Sequence, residues 1–183
     1  LAAGMNEGSA FDRIIMRIID LLMAFPFMEI AIVAATLFGN GLTNLLFIVT
    51  AVWWVPFARM TRSLVLKAKT ETYVSAAIVL GAGNADILFR ELLPQVLGTV
   101  LVQATFQLGS LILTIAALSF IGMGEHPPAP EWGSMLSDGR DHFFQAPYIL
   151  LGPSIFIILT VLALNLIGEG LRDRLDPYEI VEL

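Results

Sequence analysis

Apolar residues run along this chain in long blocks from which charge is absent. Residues 30–58, 92–124 and 142–168 contain no Asp, Glu, Lys or Arg. A helix that crosses a bilayer needs about 20 apolar residues, so the second and third blocks each predict one span. The first block is broken in its middle by Gly39-Asn40-Gly41, a strong turn signal. Extended back to Leu21 it predicts two spans, 21–38 and 42–58, with a single charge, Glu29, inside the first. The pattern therefore predicts an all-α membrane protein with four spans, 21–38, 42–58, 95–122 and 147–169, in one domain over 1–183.

The basic residues test this hairpin. Arg13 and Arg17 precede the first span, and Arg59, Arg62, Lys67 and Lys69 follow the second. A single crossing would put basic flanks on both sides of the membrane. Two crossings put them on one side, as the positive-inside rule requires. Arg90 precedes the third span, and Arg172 and Arg174 follow the fourth. Only Arg140 then lies outside, in a loop that also carries Glu125, Glu131, Asp138 and Asp141. Both ends of the chain are expected in the cytoplasm. A very apolar soluble helical bundle would leave this asymmetry unexplained.

Composition narrows the class further. Hydrophobic residues make up 57% and charged residues 14%, against about 25% charged in a soluble domain. Mean hydropathy is +0.80. With 10 Lys+Arg against 16 Asp+Glu the net charge is -6, which argues against a nucleic-acid partner. Cys is absent, so disulfides, thiolate metal sites and cysteine nucleophiles are excluded. The first residue is Leu1, so the chain is expected to be incomplete or processed at its N-terminus.

Between the second and third spans lies a cytoplasmic segment, 67–94. Its first part is helical by composition and stops at Gly81, the residue type preferred just past a helix end. Gly83-Asn84 predicts a second short helix, with Asn84 as N-cap and Asp86 in its first turn. Pro94 closes that helix or opens the next span. Ser75, Ala76, Ala77 and Gly81 are small, and another surface could approach them closely. A plain surface loop is the alternative.

Ala76-Ala77, three residues, Gly81, and then Leu93-Pro94 resemble the EAA loop of ATP-binding-cassette importer permeases, with Ser75 at the position of the leading Glu. Leu118-Ser119-Phe120-Ile121-Gly122-Met123-Gly124, the outer loop from Pro127 to Arg140, the block from Asn165 to Pro177, and Asp20 to Pro26 are similar to the dipeptide, oligopeptide and nickel branch of those permeases. The resemblance covers about residues 11–177 and implies the type I importer transmembrane fold. That fold has six spans, so two N-terminal ones are expected beyond this chain. It implies an ATPase-coupling surface at Ser75, Ala76, Ala77, Leu80, Gly81, Ala82 and Asp86. The implied partners are a second homologous permease, two ABC ATPase subunits, an extracytoplasmic solute-binding protein and the lipid bilayer of a prokaryotic inner membrane.

No covalent chemistry is legible. There is no Gly-x-x-x-x-Gly-Lys-Ser/Thr loop, so ATP and Mg belong to partner subunits and no cofactor is expected in this chain. Thr99, Gln103, Gln107, Ser110 and Thr114 fall within about an 80° arc of the third span. Glutamines facing lipid are costly. The stripe either lines a translocation path or hydrogen-bonds neighbouring helices. A neutral polar wall suits a zwitterionic, peptide-like solute better than a bare cation.

Glu29 is an intramembrane carboxylate three residues after Pro26. It could meet a cationic group, or sit near the headgroups within reach of Arg59 or Arg62. His126 and His142, near Glu125, Glu131, Asp138 and Asp141, are a weak metal signal, and no metal site is assigned. The outer loop, stiffened by Pro127, Pro128 and Pro130, is expected to receive the binding protein, with Pro128, Trp132 and Arg140 in contact. Arg172, Asp173, Arg174 and Asp176 read as surface anchors or as a second ATPase contact. The solute stays open among peptides, nickel and metal chelates. The rival class is an ion-gradient-driven secondary transporter or channel subunit.

Overall fold

In a computed structural model the described residues are 2–5, 7–125, 128 and 130–175, and among them there are helices and no strands. In order these are α1 (Ala2–Met5), α2 (Ala10–Met23), α3 (Phe27–Phe38), α4 (Leu42–Lys69), α5 (Thr72–Val79), α6 (Asn84–Asp86), a π-helical turn (Ile87–Leu92), α7 (Leu93–Phe120), α8 (Trp132–Arg140) and α9 (Tyr148–Leu175). Three stretches are long and apolar enough to cross a membrane: α4, the rod Asn84–Phe120, and α9. A fourth exists if α2 and α3, bent by 83°, count as one.

That bend corrects the expected helix over 21–38. Pro26 lacks an N–H and cannot continue α2, and it restricts Phe25 before it to extended backbone. Pro26 instead caps the start of α3 at φ -60°, ψ 140°. It opens a helix here and does not loosen one. Glu29 consequently stands in the first turn of α3, where a carboxylate complements the helix dipole.

α7 and α9 form the main seam. In lipid, apolar burial gives helices little reason to associate, so close approach of small residues matters more. Gly109 sits against Val161 and Asn165, where a Cβ would find 3.4 Å, and Gly168 sits against Thr105 and Phe106. α8 closes the end of this seam remote from α5. A Cβ on Gly133 would lie 2.5 Å from the carbonyl oxygen of Ala116. At that same end the α3–α4 turn is tied to the end of α7. Asn40 Nδ2 donates to the Gly122 carbonyl at 3.0 Å and Leu42 N–H to Glu125 Oε2 at 3.0 Å. Glu125 thus caps the N-terminus of α4.

The α5 end is held by charge. Arg62 forks onto Asp12, Nε to Oδ1 at 2.7 Å and the second nitrogen to Oδ2 at 2.8 Å. Asp12 also accepts from Gly8 N–H at 3.1 Å and donates its own N–H to Ser9 Oγ at 3.1 Å. Ser9 thus caps α2, and Asp12 reaches back to the residue before the cap. Arg59 pairs with Asp20. The Arg62 hydrogen bonds outweigh burial and, with the Gly8 N–H, hold the Asp12 carboxyl down at about 2.

Two predictions follow from this packing. Gly133→Ala should lower the thermal midpoint in detergent by several degrees, since the Ala116 backbone cannot yield and overpacking costs about 1–3 kcal/mol. Gly152→Ala, with nothing within 4 Å of the new methyl, should leave it unchanged. Asp12 ionises more readily folded than unfolded. Its stabilisation is therefore complete above the ordinary carboxylate range near pH ~4 and is lost as pH falls toward 2. The melting difference between wild type and Asp12→Asn should hold constant from neutral pH to about pH 5 and shrink below about pH 4.

Candidate functional site

α5 is a short helix with one face anchored and one face free. Val74 is buried in a cluster with Val65, Ala68, Ile87, Leu92 and Val96. Much of the remaining surface is apolar and exposed. Ile78, Val79 and Leu80 expose 57%, 86% and 87% of their area, and Ser75 and Ala76 beside them are exposed. Ala77 and Ala82 are half-buried.

The end of α5 explains the motif's spacing. Gly81 N–H bonds the Ile78 carbonyl at 2.9 Å and Ala82 N–H bonds the Ala77 carbonyl at 3.0 Å. These are the two hydrogen bonds of a Schellman cap. They require a left-handed residue just past the helix, and Gly81 has φ +87°. Gly81 and the Ala77 carbonyl therefore build the turn, while Ser75, Ala76, Val79 and Leu80 form its outward surface. Asp86 is exposed in the first turn of α6 and lies 3.8 Å from Arg90. Beneath the turn the Tyr73 hydroxyl is enclosed without a hydrogen-bond partner among the described residues. Burial pushes its pKa up, with Glu71 and Glu91 adding to the effect.

Asn84 does not act as the N-cap. Gly83 occupies that position without a side-chain hydrogen bond, and Asn84 is already helical. Nor is the second helix short. It passes through the π turn into α7 without a break, so the helix of the expected span 95–122 starts at Asn84. The π turn accommodates Pro94. In a regular α-helix the proline ring would collide with the carbonyl of Arg90, four residues back. Here Leu93 N–H reaches back five residues, to the Leu88 carbonyl, and the widened turn gives the ring room.

Thr99, Gln103, Gln107, Ser110 and Thr114 continue along α7. Thr99 and Ser110 are exposed and the other three are half-buried. Gly98, Thr105 and Gly109, which face α9, lie about 120–160° around the helix from the centre of this stripe. Ser110 and Thr114 donate to the carbonyls of Phe106 and Ser110 in their own helix. Among the described residues the stripe makes no hydrogen bond to another helix. At the α5 end it opens into a cleft of about 540 Å³ whose polar lining is Lys67, Glu71, Gln95, Thr99 and Arg172.

Other expected residues are placed elsewhere. Glu29 is exposed at the elbow and forms no ion pair among the described residues, because Arg59 and Arg62 are taken by Asp20 and Asp12. At the α8 end Pro128 is exposed. Trp132 stacks on Phe156, with centroids 6.2 Å apart, and the Arg140 guanidinium lies 5.9 Å over the Phe120 ring. Among the described residues no three His, Asp or Glu side chains gather as a metal site. His126, Pro127 and Asp176 lie outside the described residues. The sequence reading missed Ile78, Val79 and Phe89 as surface residues. Their signal was large apolar side chains on segments too short to bury every face.

Residues 1–179 match the family described as binding-protein-dependent transport system inner membrane component. The chain is 46% identical over 178 residues to the glutathione transport system permease protein GsiD of Pectobacterium atrosepticum, covering 97% of this chain and 58% of that protein. It is 43% identical over 168 residues to the GsiD proteins of Salmonella typhimurium and Escherichia coli, covering 91% of this chain and 55% of each. The chain thus spans little more than half the length of these relatives.

The Schellman geometry separates two kinds of substitution. Gly81→Ala meets no atom within 4 Å but must adopt φ +87°, at a cost of about 1–2 kcal/mol. Hydrogen exchange should show faster opening of residues 76–83 in Gly81→Ala and native rates in Leu80→Asp.

Proposed function

The chain belongs to the family of inner membrane components of binding-protein-dependent transport systems, and we propose that it couples solute passage to an ABC ATPase through the uncovered face of α5. The family is one of multi-pass importer permeases, which sets aside the ion-gradient-driven alternative. One observation supports the docking site above others. Ile78, Val79 and Leu80 stand exposed together on a helix whose other face is anchored and whose end is locked by Gly81. A large exposed apolar patch on an ordered element marks an interaction surface. Ser75 and Ala76 beside it leave room for close approach.

On this reading the α5 end faces the cytoplasm, with Lys67, Lys69 and Arg90 there, and the α8 end faces the binding protein. A second permease would cover the polar stripe of α7, so that the path runs between the two subunits. ATP-driven closure of the ATPases would move α5, and the helix from Asn84 would carry that motion to the stripe. The solute we favour is a small peptide of the glutathione type. The close relatives bear that name, and amide and hydroxyl side chains suit peptide carbonyls, amides and carboxylates. Lys67 and Arg172 at the cytoplasmic mouth would favour an anionic solute on its way out. Nothing observed favours nickel.

The test uses the assembled importer, with its ATPases and second permease, in proteoliposomes. Leu80→Asp and Ala76→Arg should abolish ATPase co-purification and ATP-driven glutathione uptake by at least about tenfold, the loss expected when about 1.4 kcal/mol of docking energy is removed. Phe144→Asp, on an almost fully exposed residue at the other end, should retain ATPase binding. Retained binding in both α5 variants would show that the ATPase docks elsewhere. Uptake of another peptide but not of glutathione by the wild-type importer would overturn the solute alone.

A further inference from the structure

We propose that α2 is an interfacial helix that lies in the cytoplasmic leaflet and selects anionic lipid headgroups through Arg13 and Arg17. Three features of the chain lead there. The first is direction. Asp12 and Asp20 are eight residues apart on α2, about 12 Å, yet their partners Arg62 and Arg59 are three residues apart on α4, about 4.5 Å. Two long arginine side chains thus reach back to well-separated points on α2. The 83° bend at 24–26 sets α2 across α3. With α3 and α4 crossing the membrane, α2 runs along its surface.

The second is the face that α2 leaves uncovered. Asp12 and Ile19 are buried against the protein. Away from them Ile14, Ile18 and Leu21 are exposed, Ile14 by 61% and Leu21 by 66%, with Phe11 exposed at one edge of the stripe. Arg13 and Arg17 line one edge of this stripe, and both border the shallow groove that it forms. An apolar stripe with an arginine rim is the pattern of a helix sunk about 5–10 Å into the headgroup boundary. The arginines match lipid phosphates in charge, and neither takes part in an ion pair among the described residues.

The third is length. α3 has 12 residues and spans about 18 Å, well short of the roughly 30 Å hydrocarbon core. Its ends must be drawn into the bilayer. A helix embedded at the elbow does this on one side. On the other, the turn at 39–41 is tied to residues 122–125 by hydrogen bonds from Asn40, Gly41 and Leu42, which lowers the cost of drawing it inward.

The absence of Cys makes single-site labelling direct. Ile14→Cys and Ile18→Cys would each carry a bimane fluorophore in the full chain, reconstituted in vesicles of phosphatidylcholine with phosphatidylglycerol. One or the other lipid would be brominated as quencher. Both labels should be quenched, and brominated phosphatidylglycerol should be preferred by about fivefold per arginine. Arg13→Gln with Arg17→Gln should abolish the preference and leave quenching by phosphatidylcholine. A Leu80→Cys label should escape both lipids. Equal quenching by the two lipids in wild type would overturn the headgroup assignment. Protection of both labels from both lipids would show that protein, such as a second subunit, covers the stripe, and would overturn the proposal entirely. Preference retained without the arginines would assign it to other groups.

Discussion

The constraint on which the rest depends is the unbroken backbone from Asn84 to Phe120. Main-chain hydrogen bonds inside a bilayer must be made within the segment, so a helix that enters from water cannot pause at the surface without a cause. Pro94 would ordinarily supply one. The π turn removes it by lengthening the register just before the proline ring needs space. The segment just after Gly81 and the polar stripe thus lie on one continuous helix. On the proposed reading, α5 and the stripe from Thr99 to Thr114 would be connected through that helix.

The bundle uses different forces at its two ends. Between α7 and α9, glycines at 109 and 168 let backbones approach, as expected where water offers no apolar driving force, and Gly133 does the same for α8 at the end of α7. Charge appears where water is present. Arg62 forks onto Asp12 and Arg59 meets Asp20, fixing the elbow against α4. Such a pair need not add net stability, but removing one partner strands the other. Its service is geometric, since with the Arg59–Asp20 contact it ties α2 to α4 at two separate points. Large exposed side chains such as Leu37, Phe38 and Phe47 would be anomalous in a soluble domain and are ordinary against lipid.

How much of this was legible follows from what each kind of pattern encodes. Charge-free blocks and the Gly39-Asn40-Gly41 turn located the apolar helices, because hydropathy is a local property. The break at 24–26 was not read, although Phe25-Pro26 carries it. An apolar stretch hides a change of direction, since residues 21–38 carry a single charge, Glu29, and read as continuous through the break. Ser9-x-x-Asp12 announces the start of α2, but its partner Arg62 lies 50 residues away and no local pattern links them. The stop at Gly81 was read correctly because a left-handed residue is a strict local requirement. Asn84 was misread as a cap because Gly83 took that role with its backbone alone.

The same distinction bears on how α5 would work. Gly81 contributes conformation, and Leu80 and Val79 contribute surface, though all three sit within three residues. A docking element must keep its shape while a partner pushes on it. A helix of eight residues cannot do so through its own hydrogen bonds, since short helices are marginal in water. The stiffness comes from both sides: Val74 anchored into the cluster with Val65 and Leu92, and the double hydrogen bond across Gly81. Force applied at Leu80 then passes to α4 through Val65 and Ala68 and to the long rod through Ile87. Those two helices border the cleft that holds Lys67 and Thr99. On the proposed reading a push on α5 would bear on both walls of this cleft together, as a gate there would require.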